Sequence, residues 1–81
     1  MRPISEAMVR NKCRRGLLEL DLVLRKFCDT VLPSFTQAER DEFYQFLGTP
    51  DQVLWDWVLN QDDPSDSLSL KYIKLIRDVE L

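Results

Sequence analysis

LLELDLVLRKFCDTV, residues 17–31, is the stretch of sequence that decides the fold. Apolar side chains recur there every three or four positions, the spacing that places them on one face of an α-helix. The residues on this face are Leu17, Leu20, Leu24, Phe27 and Val31. A second apolar set widens the surface beyond one stripe, namely Leu18, Leu22 and Val23. The pattern predicts a central helix, packed on more than one side and ended by the proline that follows.

The first and last helices are predicted from similar signals on either side of this stretch. Residues 6–15 form the predicted first helix, with Ser5 as its N-cap and Gly16 as a left-handed stop. The fifth helix starts near Ser67. Its apolar stripe consists of Leu68, Tyr72, Leu75, Ile76 and Val79.

Two further helices are predicted from capping motifs in the middle of the chain. Thr36 and Glu39 have the spacing of a capping box, which predicts the start of the third helix. For the fourth helix, the sequence predicts Thr49 as cap, Pro50 as first helical residue and Gln52 as the return partner of the cap. Its predicted inner face consists of Val53, Leu54, Trp57 and Val58.

The two tryptophans of this helix lie two positions apart and cannot share one helical face. Trp57 falls on the predicted inner face, whereas Trp55 points well away from it. One interpretation places both rings partly in the core of a small bundle. The other gives Trp55 a place on a partner surface, where large aromatic side chains are enriched.

Length and composition limit the fold to one small domain. The chain has 81 residues and only two glycines, and it is rich in leucine, arginine, glutamate and aspartate. Such a chain favours helices over strands, and its short connections favour antiparallel neighbours. We therefore predict an all-α, compact five-helix bundle that forms a single domain over residues 1–81.

The sequence argues against an enzyme. It contains no histidine, which removes the most common general base and metal ligand. Cys13 and Cys28 belong to no CxxC pair, so no zinc site is indicated. They are expected to be buried or half-buried thiols in a reducing cytosol, although a disulfide between them is compatible with the sequence. We expect no catalytic residues, no metal site and no cofactor of the protein's own.

Charge and hydropathy also bear on partners and location. The net charge of −3 is unevenly distributed, since residues 1–28 carry +4 and residues 29–66 carry −8. This split could steer the docking of a charged partner, or it could be a chance clustering of surface charges. The domain is acidic overall, which argues against nucleic-acid binding, for which a basic domain is expected. No apolar run approaches the roughly 20 residues of a membrane span. We expect a cytoplasmic protein that does not insert into a membrane.

RRGLLELD, residues 14–21, places charged residues on both sides of a glycine at a predicted helix junction. Helix capping alone could explain this pattern. Arg15 would complement the end of the first helix, and Glu19 and Asp21 the start of the second. Arg15 and Glu19 could also form a local ion pair across the turn.

The same stretch resembles a known family. CRRGLLELD, residues 13–21, contains the R-G-x-x-E signature and is similar to the small FAD assembly (flavinylation) factors of succinate dehydrogenase, the SdhE/YgfY type. The resemblance extends to the acidic helix after Pro33, the Pro50-Asp51…Trp57 segment, the chain length and the terminal amphipathic helix. It implies a five-helix assembly factor. It also implies a partner-binding site made of Arg14, Arg15, Gly16, Glu19 and Asp21.

The resemblance further implies the partner and its chemistry. Such factors bind the flavoprotein subunit of succinate dehydrogenase, and often of fumarate reductase, and promote covalent attachment of FAD to a histidine of that subunit. The flavin then belongs to the client, and the factor is expected to be a monomer when free. A regulatory protein, antitoxin-like or inhibitory towards the cytoskeleton, remains the alternative, because an acidic helical domain suits that role as well.

Overall fold

Apolar residues at helical spacing, separated by short polar breaks, produce five α-helices and one 3-10 turn. The computed structural model describes residues 3–80, and no β-strand occurs within this range. The elements are α1 Glu6–Lys12, α2 Leu18–Thr30, the 3-10 turn Leu32–Ser34, α3 Gln37–Phe46, α4 Asp51–Val58 and α5 Ser67–Glu80. The Cα radius of gyration is 11.7 Å, close to the value of about 12 Å expected for a compact chain of this length.

The predicted all-α, compact five-helix fold is confirmed. The predicted domain of residues 1–81 extends at each end past the described range, because residues 1, 2 and 81 lie outside it. None of the helices within residues 3–80 is both long and apolar enough to cross a bilayer.

Two predicted helix starts are confirmed by their side-chain caps. The Ser5 hydroxyl accepts a hydrogen bond from the Met8 amide at 3.2 Å at the start of α1. At the start of α3, the Thr36 hydroxyl accepts from the Glu39 amide at 3.2 Å. The Glu39 carboxylate in turn accepts from the Thr36 amide at 2.8 Å, which completes the capping box. Each of these helices begins after an N-cap residue whose side chain accepts a hydrogen bond from an amide that has no partner within the helix.

The predicted end of the first helix is wrong in position and in mechanism. α1 ends at Lys12 rather than Arg15, and Gly16 has no positive φ. The Cys13 amide already bonds back to the Val9 and Arg10 carbonyls. A tight turn therefore ends the helix without a left-handed glycine, which frees Gly16 from a capping role.

The predicted cap of the fourth helix is also wrong. The Thr49 hydroxyl donates to the Phe46 carbonyl at 2.8 Å, so it serves the end of α3 instead. Pro50 is the N-cap with an extended backbone, and α4 begins one residue later, at Asp51. The Gln52 side chain bonds to Asp56 at 3.0 Å rather than returning to a cap.

The core lies where α2, α3 and α5 meet around an aromatic cluster. The Phe27 and Phe43 ring centroids are 5.2 Å apart, and those of Phe43 and Tyr72 are 5.5 Å apart. The Tyr72 hydroxyl donates to Glu42 at 2.7 Å, so its polar end is satisfied at the edge of the core. Edge-to-face and tilted aromatic contacts of this kind add stability beyond the apolar area that they bury.

α2 is buried on only part of its circumference. Leu20, Leu24 and Phe27 are fully buried, as predicted for the central stripe. Leu18 and Leu22, however, are 64% and 54% exposed, so the prediction that they pack inside is wrong for both. The other helices cover the face that carries Leu20, Leu24 and Phe27 and leave the opposite face of α2 in solvent.

α4 turns two of its four predicted inner residues fully inward. Leu54 and Val58 are buried and Trp57 is half-buried, but Val53 is exposed, contrary to the prediction. Trp55 is half-buried and packs against the core together with Trp57. The interpretation that places both tryptophans partly in the core is therefore confirmed.

Candidate functional site: the α1–α2 loop

The R-G-x-x-E signature, residues 15–19, begins in the α1–α2 loop, residues 13–17, and ends in the first turn of α2. Asp21, in the first turns of α2, holds this loop in place through its carboxylate. One of its carboxylate oxygens accepts the Arg15 amide at 2.9 Å, and the other accepts from the Arg25 guanidinium at 3.2 Å. The Asp21 side chain is only 14% exposed. Its role in the free protein is therefore to fix the loop backbone.

The Arg15 side chain points inward and joins the loop to the distant connection between α3 and α4. Its Nη1 donates to the Thr49 carbonyl and to the Asp51 carboxylate, both at 3.2 Å, and its Nη2 donates to the Leu47 carbonyl. Only 11% of the side chain is exposed. We call this group, Arg15 with Asp51 and the carbonyls of Leu47 and Thr49, the Arg15 clamp.

Asp51 is the residue of the clamp that sequence reasoning did not place in the site. It lies 36 positions from Arg15 and accepts the Leu17 amide at 3.4 Å as well as the guanidinium. Arg15 therefore forms its ion pair with Asp51, and the local Arg15–Glu19 pair does not form. The sequence signal nearest to this contact is the Pro50-Asp51 pair, which indicates the start of a helix and belongs to the family resemblance but does not by itself point to Arg15.

The outer side of the loop differs in character from the clamp. Arg14, Gly16 and Glu19 are exposed, and Glu19 has no hydrogen-bond or ion-pair partner among residues 3–80. Leu18 and Leu22, one helical turn apart, lie beside Glu19 on the same side of α2. We call Gly16, Leu18, Glu19 and Leu22 the exposed face.

Gly16 has room for a side chain in the free protein. A Cβ atom built on it would meet no atom within 4 Å, and its backbone is not left-handed. Neither packing nor backbone conformation therefore requires a glycine at this position. With no side chain at Gly16, the loop backbone is left uncovered on its outer side.

An open cavity of about 500 Å³ lies on the neighbouring side of α2, between α1 and α2. Charged side chains from Arg10, Arg14, Asp21, Arg25 and Asp29 line it, together with both cysteines. The two cysteines are free thiols and buried, as predicted. Across the described part of the chain, no cluster of three or more His, Cys, Asp or Glu side chains has a metal-binding arrangement.

The structure thus separates the five predicted site residues into two groups. Arg15 and Asp21 are directed to the protein's own interior, whereas Arg14, Gly16 and Glu19 face solvent. Fold and loop together define a small all-helical domain with a rigidly held loop and an adjoining apolar and acidic surface. These are features of a protein-binding surface, in which apolar anchors lie beside unpaired polar groups.

The chain belongs to the family of flavinators of succinate dehydrogenase. The family model described as "Flavinator of succinate dehydrogenase" matches residues 7–80, which include the whole loop, the clamp and the exposed face. The resemblance found in the signature is therefore confirmed across nearly the full length of the chain.

Several curated relatives support this assignment. The FAD assembly factor SdhE of Coxiella burnetii is 38% identical over 78 residues, which cover 96% of this chain and 92% of the relative. The protein of the same name from Legionella pneumophila (strain Lens) is 36% identical over 69 residues, covering 85% and 86%. That from Yersinia pestis is 32% identical over 73 residues, covering 90% and 83%.

Proposed function

We propose that this protein is an assembly factor that binds the flavoprotein subunit of succinate dehydrogenase and promotes covalent attachment of FAD to it. The observation that carries the proposal is the family match over residues 7–80. The names of the relatives, all FAD assembly factors, point to the same activity. Fumarate reductase, which the family resemblance implies, is a second client under this proposal.

The geometry supports different roles for the Arg15 clamp and the exposed face. The Arg15 clamp fixes the loop, so that little conformational freedom is lost when a client binds. Gly16 allows the client backbone to approach, and Glu19 accepts charge-assisted hydrogen bonds from a basic client residue. Leu18 and Leu22, 64% and 54% exposed, supply apolar anchors that binding would remove from water.

Under this proposal, the protein acts by binding its client and carries out no chemical step itself. The flavin and the histidine that receives it both belong to the client, and this chain contains no histidine. Binding favours a client conformation in which flavin and histidine are aligned, which promotes the reaction through proximity. We propose in addition that the protein is a cytoplasmic monomer when free, with no cofactor of its own and no substrate that it turns over.

The proposal is tested by deleting the gene and measuring covalent flavin on the succinate dehydrogenase flavoprotein by in-gel fluorescence. We expect the flavin signal to fall strongly and to return when the wild-type gene is supplied. An undiminished signal in the deletion strain would refute the assembly-factor role.

Variants of the loop test the site. Glu19→Ala and Gly16→Arg should fail to restore the signal, because each alters the exposed face without touching the clamp. Loss of a buried, paired charge at an interface costs about 2–5 kcal/mol. Asp78→Ala, which removes an exposed carboxylate from α5, is the matched control and should restore it fully. Full rescue by both loop variants would show that the client binds elsewhere.

A further inference from the structure

Cys13 and Cys28 lie in contact although they are 15 positions apart. Cys13 is the C-cap of α1, and Cys28 is in the last turns of α2. Their Sγ atoms are 3.2 Å apart, a thiol–thiol hydrogen bond, and the two residues are 4% and 1% exposed. We propose that this pair is a site of reversible oxidation, at which a small disulfide compound converts the two thiols into an intramolecular disulfide.

The geometry requires little movement. A disulfide has an S–S distance of about 2.05 Å, so the two sulfurs must approach by about 1 Å. Small rotations of the two side chains would supply this approach, because the two Sγ atoms are already in contact. Two isolated buried cysteines would act simply as small apolar residues. Contact between the two sulfur atoms allows them to form a bond with each other.

The surroundings distinguish the two sulfurs. The hydrogen bond shared with Cys13 and the nearby positive charge of Arg10 lower the pKa of Cys28, against the opposing effect of burial. The same hydrogen bond, together with burial, raises the pKa of Cys13. The Arg10 guanidinium donates to the Cys28 carbonyl at 3.3 Å, so a positive charge lies beside Cys28. We therefore assign Cys28 as the thiolate that attacks and Cys13 as the thiol that resolves the product.

The cavity between α1 and α2 gives an oxidant access to the pair. Both cysteines contribute to its lining, as do Arg10, Arg14 and Arg25. Arg10 is paired with Asp29 and Arg25 with Asp21, whereas Arg14 has no acidic partner among residues 3–80. The cavity therefore keeps a positive charge next to the sulfurs, which suits a low-molecular-weight disulfide that carries carboxylates.

The reaction balances as two thiol–disulfide exchanges. The Cys28 thiolate attacks one sulfur of the compound R–S–S–R, forming a mixed disulfide and releasing R–S⁻. Cys13 loses its proton and attacks the Cys28 sulfur, forming the Cys13–Cys28 bond and releasing the second R–S⁻. The protein loses two electrons and two protons, and R–S–S–R is reduced to two molecules of R–SH.

The bond would tie the end of α1 to α2 at the entrance of the α1–α2 loop. Disulfides in reducing compartments are usually transient and redox-sensing, and this pair has the contact and the access for such a role. The inference concerns the cysteines alone and does not depend on the identity of the client.

The test uses the purified full chain equilibrated with glutathione and its disulfide over a range of ratios. Intact mass and alkylation of the unfolded protein measure the free thiols. We expect a monomer that has lost two hydrogen atoms and both alkylatable thiols, with a peptide map that joins Cys13 to Cys28. Dithiothreitol should reverse the change. Closing a loop of this length should raise the unfolding temperature on the order of 10 °C.

The single variants separate the two roles. Cys13→Ser should accumulate one glutathione on Cys28, and Cys28→Ser should react far more slowly at Cys13. Should either variant fail to fold, the wild-type measurement alone decides. Retention of both free thiols at the most oxidising ratio, arrest at a glutathione adduct, or cross-linking between chains would each overturn the proposal.

Discussion

Neighbouring residues on the two sides of the α1–α2 loop differ in burial and in their contacts. On the inner side, the Arg15 side chain is 11% exposed and its guanidinium is bonded to Asp51 and two carbonyls. On the outer side, Gly16 meets nothing within 4 Å of a built Cβ, and Glu19 has no partner within residues 3–80. One five-residue signature thus contains a residue that the fold requires and two that it does not. The inner side is expected to determine stability and the outer side partner binding.

The largest effect should come from removing the centre of the clamp. Arg15→Ala leaves Asp51 and the carbonyls of Leu47 and Thr49 without their donor, and breaking such a buried pair costs about 3–5 kcal/mol. We expect the lower end, about 3 kcal/mol, because Asp51 is 34% exposed and water can partly replace the guanidinium. Urea unfolding followed by circular dichroism measures the loss.

The clamp also requires the shape of the guanidinium. Arg15→Lys keeps the charge but loses the fork that reaches three acceptors, so it should recover only part of the stability. If Arg15→Ala were as stable as the wild type, the side chain would belong to the docking surface and the division between the two sides would be wrong.

The next effect should appear in binding alone. Leu22→Ser removes an exposed apolar anchor, which should weaken client binding by about 1–2 kcal/mol, roughly tenfold, and leave stability within about 0.5 kcal/mol. Leu59→Ser is the matched control, because Leu59 is 48% exposed against 54% for Leu22 but lies at the end of α4 far from Asp51. Isothermal titration against the flavoprotein subunit distinguishes the two, and equal losses would remove Leu22 from the docking surface.

A smaller loss of stability is expected at the acidic partner of the clamp. Asp51→Asn keeps the shape and one acceptor oxygen but removes the charge that faces Arg15 at 3.2 Å. The two carbonyl contacts of Arg15 remain, so the cost should be about 1–2 kcal/mol, less than for Arg15→Ala. Asp56→Asn, an exchange of the same type later in α4, is the control for the helix itself. A loss equal to that of Arg15→Ala would show that the carbonyl contacts contribute little.

The sequence predicted the elements of this fold better than it predicted the site. Local signals such as the Thr36–Glu39 capping box give the start of a helix because the interacting groups are three residues apart. The clamp joins residues 36 positions apart, and no local pattern indicates it. Likewise, the apolar repeat in α2 predicted a helix correctly, but it could not tell which leucines would be left outside when the neighbours covered one face only. The signature was found by resemblance, and the division of its residues became visible only in the structure.

The smallest predicted effect is also the sharpest test of the outer side. Gly16→Ala adds one methyl group where the backbone is not left-handed and no neighbour lies within 4 Å. In the free protein this change should be neutral or should stabilise by about 0.5 kcal/mol, because alanine restricts the unfolded chain. At the same time, the methyl group should impair docking and lower the covalent flavin on the client.

Gly48→Ala provides the contrast for that experiment. A Cβ there would approach the Gln45 carbonyl oxygen to 3.1 Å, so this variant should lose stability in the free protein instead. Stability rising at Gly16 while binding falls would show that the glycine is required by the partner and not by the fold. A destabilised Gly16→Ala protein would mean that the loop is constrained in a way that its open surroundings do not reveal, and the outer side would then share the structural role of the inner one.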